Sequence, residues 1–283
     1  SITGTTGVLT SASDYDLQSG SVSADLGGTA GLTKTTAGTL TLSGANTYTG
    51  LTTVEAGTLT LSGGAALADA GALNLSTSGA VLTLSTSEMI GSLAGVTGTN
   101  VNLGATTLTT GGNNNTTAYA GVIGGTGGLT KTGSGTFTLS GDNTYTGVTR
   151  LNAGTLAYGI TNALSSGGVT VSGGTLDMGA FSDTVGAVTL VSGDITGSTG
   201  VLTCTSYTMQ SGTVGAILGG TGALTKTGAG TLTLSQANTY TGATNINAGT
   251  LRVAGGSAIA DTSAIVLANV AGAIFDLNGT SET

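Results

Sequence analysis

Aliphatic and hydroxyl residues alternate along this chain in short bursts. Leu40-Thr41-Leu42, Phe137-Thr138-Leu139 and Leu232-Thr233-Leu234 each place two apolar side chains on one side of an extended ribbon and a threonine on the other. A second burst follows each of these. Thr52 and Val54, Thr149 and Leu151, and Thr244 and Ile246 are expected to point inward, with Thr53, Arg150 and Asn245 outward. Glycine and asparagine clusters interrupt the pattern every five to seven residues, which leaves no room for a helix of ordinary length. The predicted elements are therefore short strands, joined by glycine-rich corners that supply positive backbone dihedrals.

The bursts recur with a period. An AGTL-type segment appears twice in each of three stretches, at Gly38 and Gly57, Gly135 and Gly154, and Gly230 and Gly249, always 19 residues apart. Behind these glycines stand Leu40, Leu42 and Leu59, then Phe137, Leu139 and Leu156, then Leu232, Leu234 and Leu251. Following the phase through less similar text, by way of Gly79, Gly98 and Thr117, gives fourteen markers with steps of 18 to 23 residues. Five short steps make one long repeat: Tyr48, Tyr145 and Tyr240 are separated by 97 and then 95 residues, as are Lys34, Lys131 and Lys226.

One such coil cannot bury its apolar face alone, whereas stacked coils bury it against each other, each strand pairing in parallel with its equivalent in the next. The expected fold is all-β: a single-stranded, right-handed parallel β-helix of about 14 coils with about 19 residues each, forming a rod of roughly 65 Å. Residues 1–283 read as one continuous domain, with a partial repeat over 1–25, long repeats over 26–122 and 123–217, and a partial one over 218–283. Ser1 opens in mid-repeat, in phase with Asp194, and Thr283 cuts another, so the expectation is a piece of something longer.

Composition narrows the function. Gly accounts for 53 of 283 residues and there is no Pro or Trp, yet the regular apolar positions and a mean hydropathy of +0.34 argue against disorder. A net charge of −8, with the five bases Lys34, Lys131, Arg150, Lys226 and Arg252 scattered, provides no surface for nucleic acid. No apolar run reaches the length of a membrane span. The single cysteine, Cys204, excludes an internal disulfide and reads as a small buried apolar residue.

The three copies, LGGTAGLTKTTAGTLTLSGANTYTGLTTVEAGTL at 26–59 and its counterparts at 123–156 and 218–251, resemble the passenger-associated transport repeats of bacterial type V autotransporters. The resemblance implies an exported β-helical stalk on a Gram-negative cell surface, anchored in the outer membrane through a C-terminal barrel beyond this segment, or released. It implies help with folding during export, and leaves the ligand open, since adhesins and enzymes share such scaffolds. The expected partners are further copies of the chain, or a protein or glycan on a host or neighbouring cell.

Candidate chemistry is sparse. There is no histidine, which removes imidazole-based triads and imidazole metal sites. Carboxylates remain, in sets at Asp14, Asp16 and Asp25, and at Asp177, Asp183 and Asp194; the second set, with Asp177 and Asp194 on adjacent coils, supports an alternative reading as a polysaccharide-active enzyme. Asp14-Tyr15-Asp16 supplies too few ligands for calcium, and the glycine-rich GGTGGLTKTG lacks the order of a phosphate loop. No cofactor, metal or catalytic residue is expected. The three lysines are expected to point outward and discourage stray edge pairing. The three tyrosines are expected to cover corners with wet hydroxyls or to form a glycan- or protein-contacting platform. Outward threonines, Thr39 and Thr41 above Thr58 and Thr60, are expected to form a short hydroxyl-methyl row, unsustained through later coils.

Overall fold

A computed structural model describes residues 1–4 and 6–282; Thr283, read above as the cut end of a repeat, lies outside the described residues. The chain divides into two compact units, Ser1–Gly147 and Val148–Thr283. Each is a parallel β-solenoid. All secondary structure among the described residues is strand or turn, and the coils number about 13 with about 20 residues each.

In the first unit one sheet stacks Gly20–Val22, Thr39–Leu42, Thr58–Leu61, Val81–Leu84, Asn100–Asn102 and Val122–Gly124, every pair parallel. A second stacks Tyr15–Asp16, Leu32–Lys34, Thr52–Val54, Ala72–Leu75, Ser92–Gly95, Thr117–Tyr119 and Thr136–Leu139. A third holds Glu88–Ile90, Thr107–Thr110 and Gly128–Lys131. In the second unit one sheet runs from Thr149–Leu151 through Val169–Val171, Ala187–Leu190, Ser206–Met209, Ala223–Lys226 and Thr244–Ile246 to Ile265–Leu267. The other runs from Thr155–Tyr158 through Thr175–Asp177, Asp194–Thr203, Gly212–Gly219, Thr231–Leu234 and Thr250–Val253 to Ile274–Asp276.

Register delivers the core. Leu40 faces Leu59, which faces Leu82, then Val101 and Ile123, and all five are at most 1% exposed. Leu232 likewise faces Leu251, both fully buried. Because side chains alternate with period two, the same register turns Thr41, Thr60 and Thr83 to the outside in one column. The threonine row beside it, Thr39 and Thr58, gives way to Val81 and Asn100, as the sequence predicts.

The phase differs from expectation in one place. Thr117, read as the marker after Gly98, heads a strand that stacks on Ser92–Gly95 and not on Asn100–Asn102. The cause is an enlarged coil: Gly95 and its partner Tyr119 are 24 residues apart, where Leu73 and Leu93 are 20 apart, and the excess lies in the turn 111–116, because Ile90 and its partner Thr110 just before it are still 20 apart. The first long repeat thus advances by a non-integral number of turns, which carries Phe137 into a different sheet from Leu40 and makes the total about 13 coils instead of 14.

Gly249 shows why the second AGTL glycine is required. Its φ is +63°, Gly57 and Gly154 share the left-handed region at +71° and +70°, and a Cβ at Gly249 would lie 2.5 Å from the carbonyl oxygens of both Gly228 and Gly230. Gly249→Ala is expected to cost about 1–3 kcal/mol, from left-handed strain and displacement of the preceding coil. A urea midpoint equal to that of the unsubstituted chain would refute this.

Candidate functional site

The polar residues buried inside the solenoid form one repeated arrangement. Asn46, Asn143 and Asn238, the first letters of the three NTYTG segments, are at most 5% exposed. Asn46 accepts the Leu26 N–H at 2.7 Å on Oδ1 and donates from Nδ2 to the Ala66 carbonyl at 2.7 Å, tying the coil before it to the coil after. Asn238 does the same between the Leu218 N–H, 2.7 Å, and the Ala258 carbonyl, 2.6 Å. Asn143 accepts the Ile123 N–H at 2.8 Å and donates to the Gly141 carbonyl. An amide suits the position because it offers donor and acceptor at once to backbone groups that water cannot reach.

A carboxylate takes this place two coils later. Glu88 Oε1 accepts the Leu67 N–H at 2.7 Å, Asp183 Oδ2 accepts the Leu164 N–H at 3.0 Å, and Glu282 accepts the Ala258 and Ile259 N–H groups at 2.9 and 3.3 Å. Burial raises the Glu88 pKa to about 7, against the opposing pull of the Leu67 amide, and raises that of Asp183 as well. The sequence carries a trace of this set in the parallel between STSE at 85–88 and TSE at 280–282.

The lysines are where the sequence reading fails. Lys34, Lys131 and Lys226 point inward and are at most 1% exposed. Lys226 Nζ donates to the carbonyls of Thr227, Gly228 and, on the following coil, Ala248, at 2.7, 2.8 and 3.0 Å. Lys34 donates to Thr36 and Ala56, and Lys131 to Thr132 and Gly133. Desolvation lowers all three pKa values. Lysine occupies the inward phase of an LTKT strand because its stem fills the channel like an aliphatic residue while its head reaches carbonyls at the corner. A hydrophobicity pattern scores it as polar and turns it outward.

The tyrosines also lie inside. Tyr48, Tyr145 and Tyr240 are at most 1% exposed, and the hydroxyls of Tyr48 and Tyr240 bond Thr52 and Thr244 at 2.6 and 2.7 Å. The platform and the wet corner are both corrected: each NTYTG turn folds its ring inward. Tyr48 packs against Tyr15 and Tyr240 against Tyr207, with centroids 6.1 and 6.0 Å apart. Burial raises the phenol pKa of Tyr48 and Tyr240, and pushes Tyr119 up to about 12.

The aspartates do not converge. Asp177 and Asp194 do lie on adjacent coils, but Asp194 stands opposite Thr175 while Asp177 stands opposite Thr196, two residues along. Asp177 Oδ1 serves its own turn through the Gly179 N–H. Asp183, 2% exposed, faces the interior and caps Leu164, so it is withdrawn from the other two. In the first set Asp14 accepts the Gly31 N–H, Asp25 the Ala45 N–H, and Asp16 bonds Gln18. Among the described residues no group of three His, Cys, Asp or Glu is placed to hold a metal ion. Among the same residues no helix is long and apolar enough to cross a membrane. Cys204 is 5% exposed with its Sγ 3.1 Å from the Ser206 carbonyl, and desolvation raises its pKa, which leaves it a poor nucleophile.

Parallel coils, a repeated Asn-Lys-Tyr interior and outward faces of threonine and asparagine define a repeat-built solenoid scaffold. The family described as passenger-associated-transport-repeat matches residues 32–61, 129–157, 161–178 and 224–253, and the chain belongs among the autotransporter passengers built on this repeat. In an alignment 277 residues long that covers 89% of the chain, it is 39% identical to the adhesin BmaC autotransporter of Brucella suis biovar 1 (strain 1330), of which it spans 8%. No solved structure matches it.

Proposed function

We propose that this segment is a non-enzymatic stalk of a surface-exposed or secreted autotransporter passenger, one that supports adhesion or self-association and folds progressively during export. The observation that carries this reading is the order of strand pairing. Within each unit a strand pairs with its counterpart one coil earlier, and backbone bonds such as Thr250 N–H to the Gly230 carbonyl close each new coil onto the last. A chain emerging from one end can therefore fold coil by coil on a finished edge, with no distant segment required. The adhesive role is carried over from the Brucella relative. The outward faces support it, since threonine and asparagine columns bring little charge to a contact.

Beads coated with the purified chain are expected to clump together or to settle on cultured mammalian cells more than albumin-coated beads do. Behaviour identical to albumin in both assays would remove the binding role from this segment.

A further inference from the structure

Glu88 departs from the asparagine rung it replaces. Asn46 satisfies one coil as acceptor and the next as donor, whereas an ionised carboxylate has only acceptors. Glu88 is 3% exposed; Oε1 holds the Leu67 N–H, and Oε2 is sealed from solvent with no hydrogen bond of its own, although the Ala66 amide dipole eases its charge. The titratable groups facing it are Asp69 on the loop 63–71 and the Tyr48 phenol at the corner, and neither is a cation. The same loop is closed by the Gly71 N–H bonded to the Ala68 carbonyl at 2.7 Å. With Asn46 and Thr47 it walls an open cleft of about 310 Å³ lined also by Leu67, Ala68 and Asp69.

We propose that Glu88 is a proton-operated latch: with a proton on Oε2 the acid is neutral and pins the 63–71 loop through Leu67, and loss of that proton loosens the loop and the cleft it walls. Ionisation leaves a buried anion beside Asp69 with no compensating cation, a cost that the folded loop bears and the open loop, with Glu88 in water, does not. The folded pKa of about 7 lies above the ordinary 4.5, so this term favours the closed loop fully below pH 4.5. The advantage is lost as pH rises through 7. The latch is independent of what the passenger binds.

The test is hydrogen exchange at the Leu67 amide, corrected for intrinsic rates, alongside a carbon-13 titration of the Glu88 carboxyl in the unsubstituted chain. Protection is expected to fall about tenfold or more between pH 5.5 and 8.5, with the carboxyl titrating near 7. Glu88→Gln, which keeps an acceptor and cannot ionise, is expected to show no such fall. Asp69→Asn, which removes the like charge, is expected to move the midpoint lower. A Glu88 carboxyl titrating at its ordinary value overturns the latch. So does Leu67 protection that is flat with pH, or that falls equally in Glu88→Gln. The titration needs no variant, so a Glu88→Gln chain that fails to fold leaves the proposal exposed to refutation.

Discussion

Asn238→Leu is expected to destabilise the chain by about 2–5 kcal/mol. Leucine shares the branched heavy-atom skeleton of asparagine, and the interior is already apolar, so hydrophobicity alone predicts little harm. The loss comes from two backbone groups, the Leu218 N–H and the Ala258 carbonyl, which Asn238 joins at 2.7 and 2.6 Å and which no water reaches at a site 5% exposed. Each orphaned group costs roughly 1–3 kcal/mol. The outward Asn245, on the neighbouring strand, is the control: Asn245→Leu is expected to stay within about 0.5 kcal/mol. Chemical denaturation of both variants decides the matter. If Asn238→Leu unfolds at the same urea concentration as the unsubstituted chain, the amide rungs do not hold the coils together.

Lys226→Met is expected to cost about 2–3 kcal/mol and to do so without opening a cavity. Methionine retains most of the aliphatic stem in the channel, and what disappears is the ammonium that gathers three carbonyls from two successive coils. Bonds from a charged donor are worth more than neutral ones, but the ammonium tip lies near the corner, where water can reach the freed carbonyls and soften the loss. The same geometry makes a second measurable claim. Amine-selective acylation of the native chain is expected to label Lys34, Lys131 and Lys226 at least tenfold more slowly than in the urea-unfolded chain, because acylation requires a free, deprotonated and exposed amine and all three heads are engaged. Labelling of Lys226 as fast as a free lysine, or a Lys226→Met variant as stable as its parent, would show that the carbonyl cage contributes nothing.

Strand placement, parallel stacking and the leucine columns were legible because they rest on a local rule. Alternation with period two places Leu40 and Leu42 on one side of the ribbon whatever surrounds them, and a repeat of about 19 residues leaves stacked coils as the way to bury that side. The rule carries no information about side chains that are polar at one end and apolar along the rest. Lys34 and Tyr48 obey the alternation or the turn and polarity alone turns them outward, yet both are interior, since their polar atoms find partners at the corner, in the next coil or in the strand that follows. The candidate carboxylates fail for a related reason. Spacing placed Asp177 and Asp194 on adjacent coils correctly, but whether an acid faces solvent or the backbone of Leu164, as Asp183 does, depends on how each corner folds.

By itself the sequence determined the ribbon: its strands, its period, its dry aliphatic columns and its kinship with exported passengers, all of which follow from residues close together in the chain. Only the tertiary structure decided the winding phase, where the coil between Gly95 and Tyr119 takes four more residues than the 20 separating Leu73 and Leu93. It also decided which polar groups turn inward, because an asparagine or glutamate is tolerated inside only when a backbone group about 20 residues away stands within hydrogen-bond reach, as the Ala66 carbonyl does for Asn46.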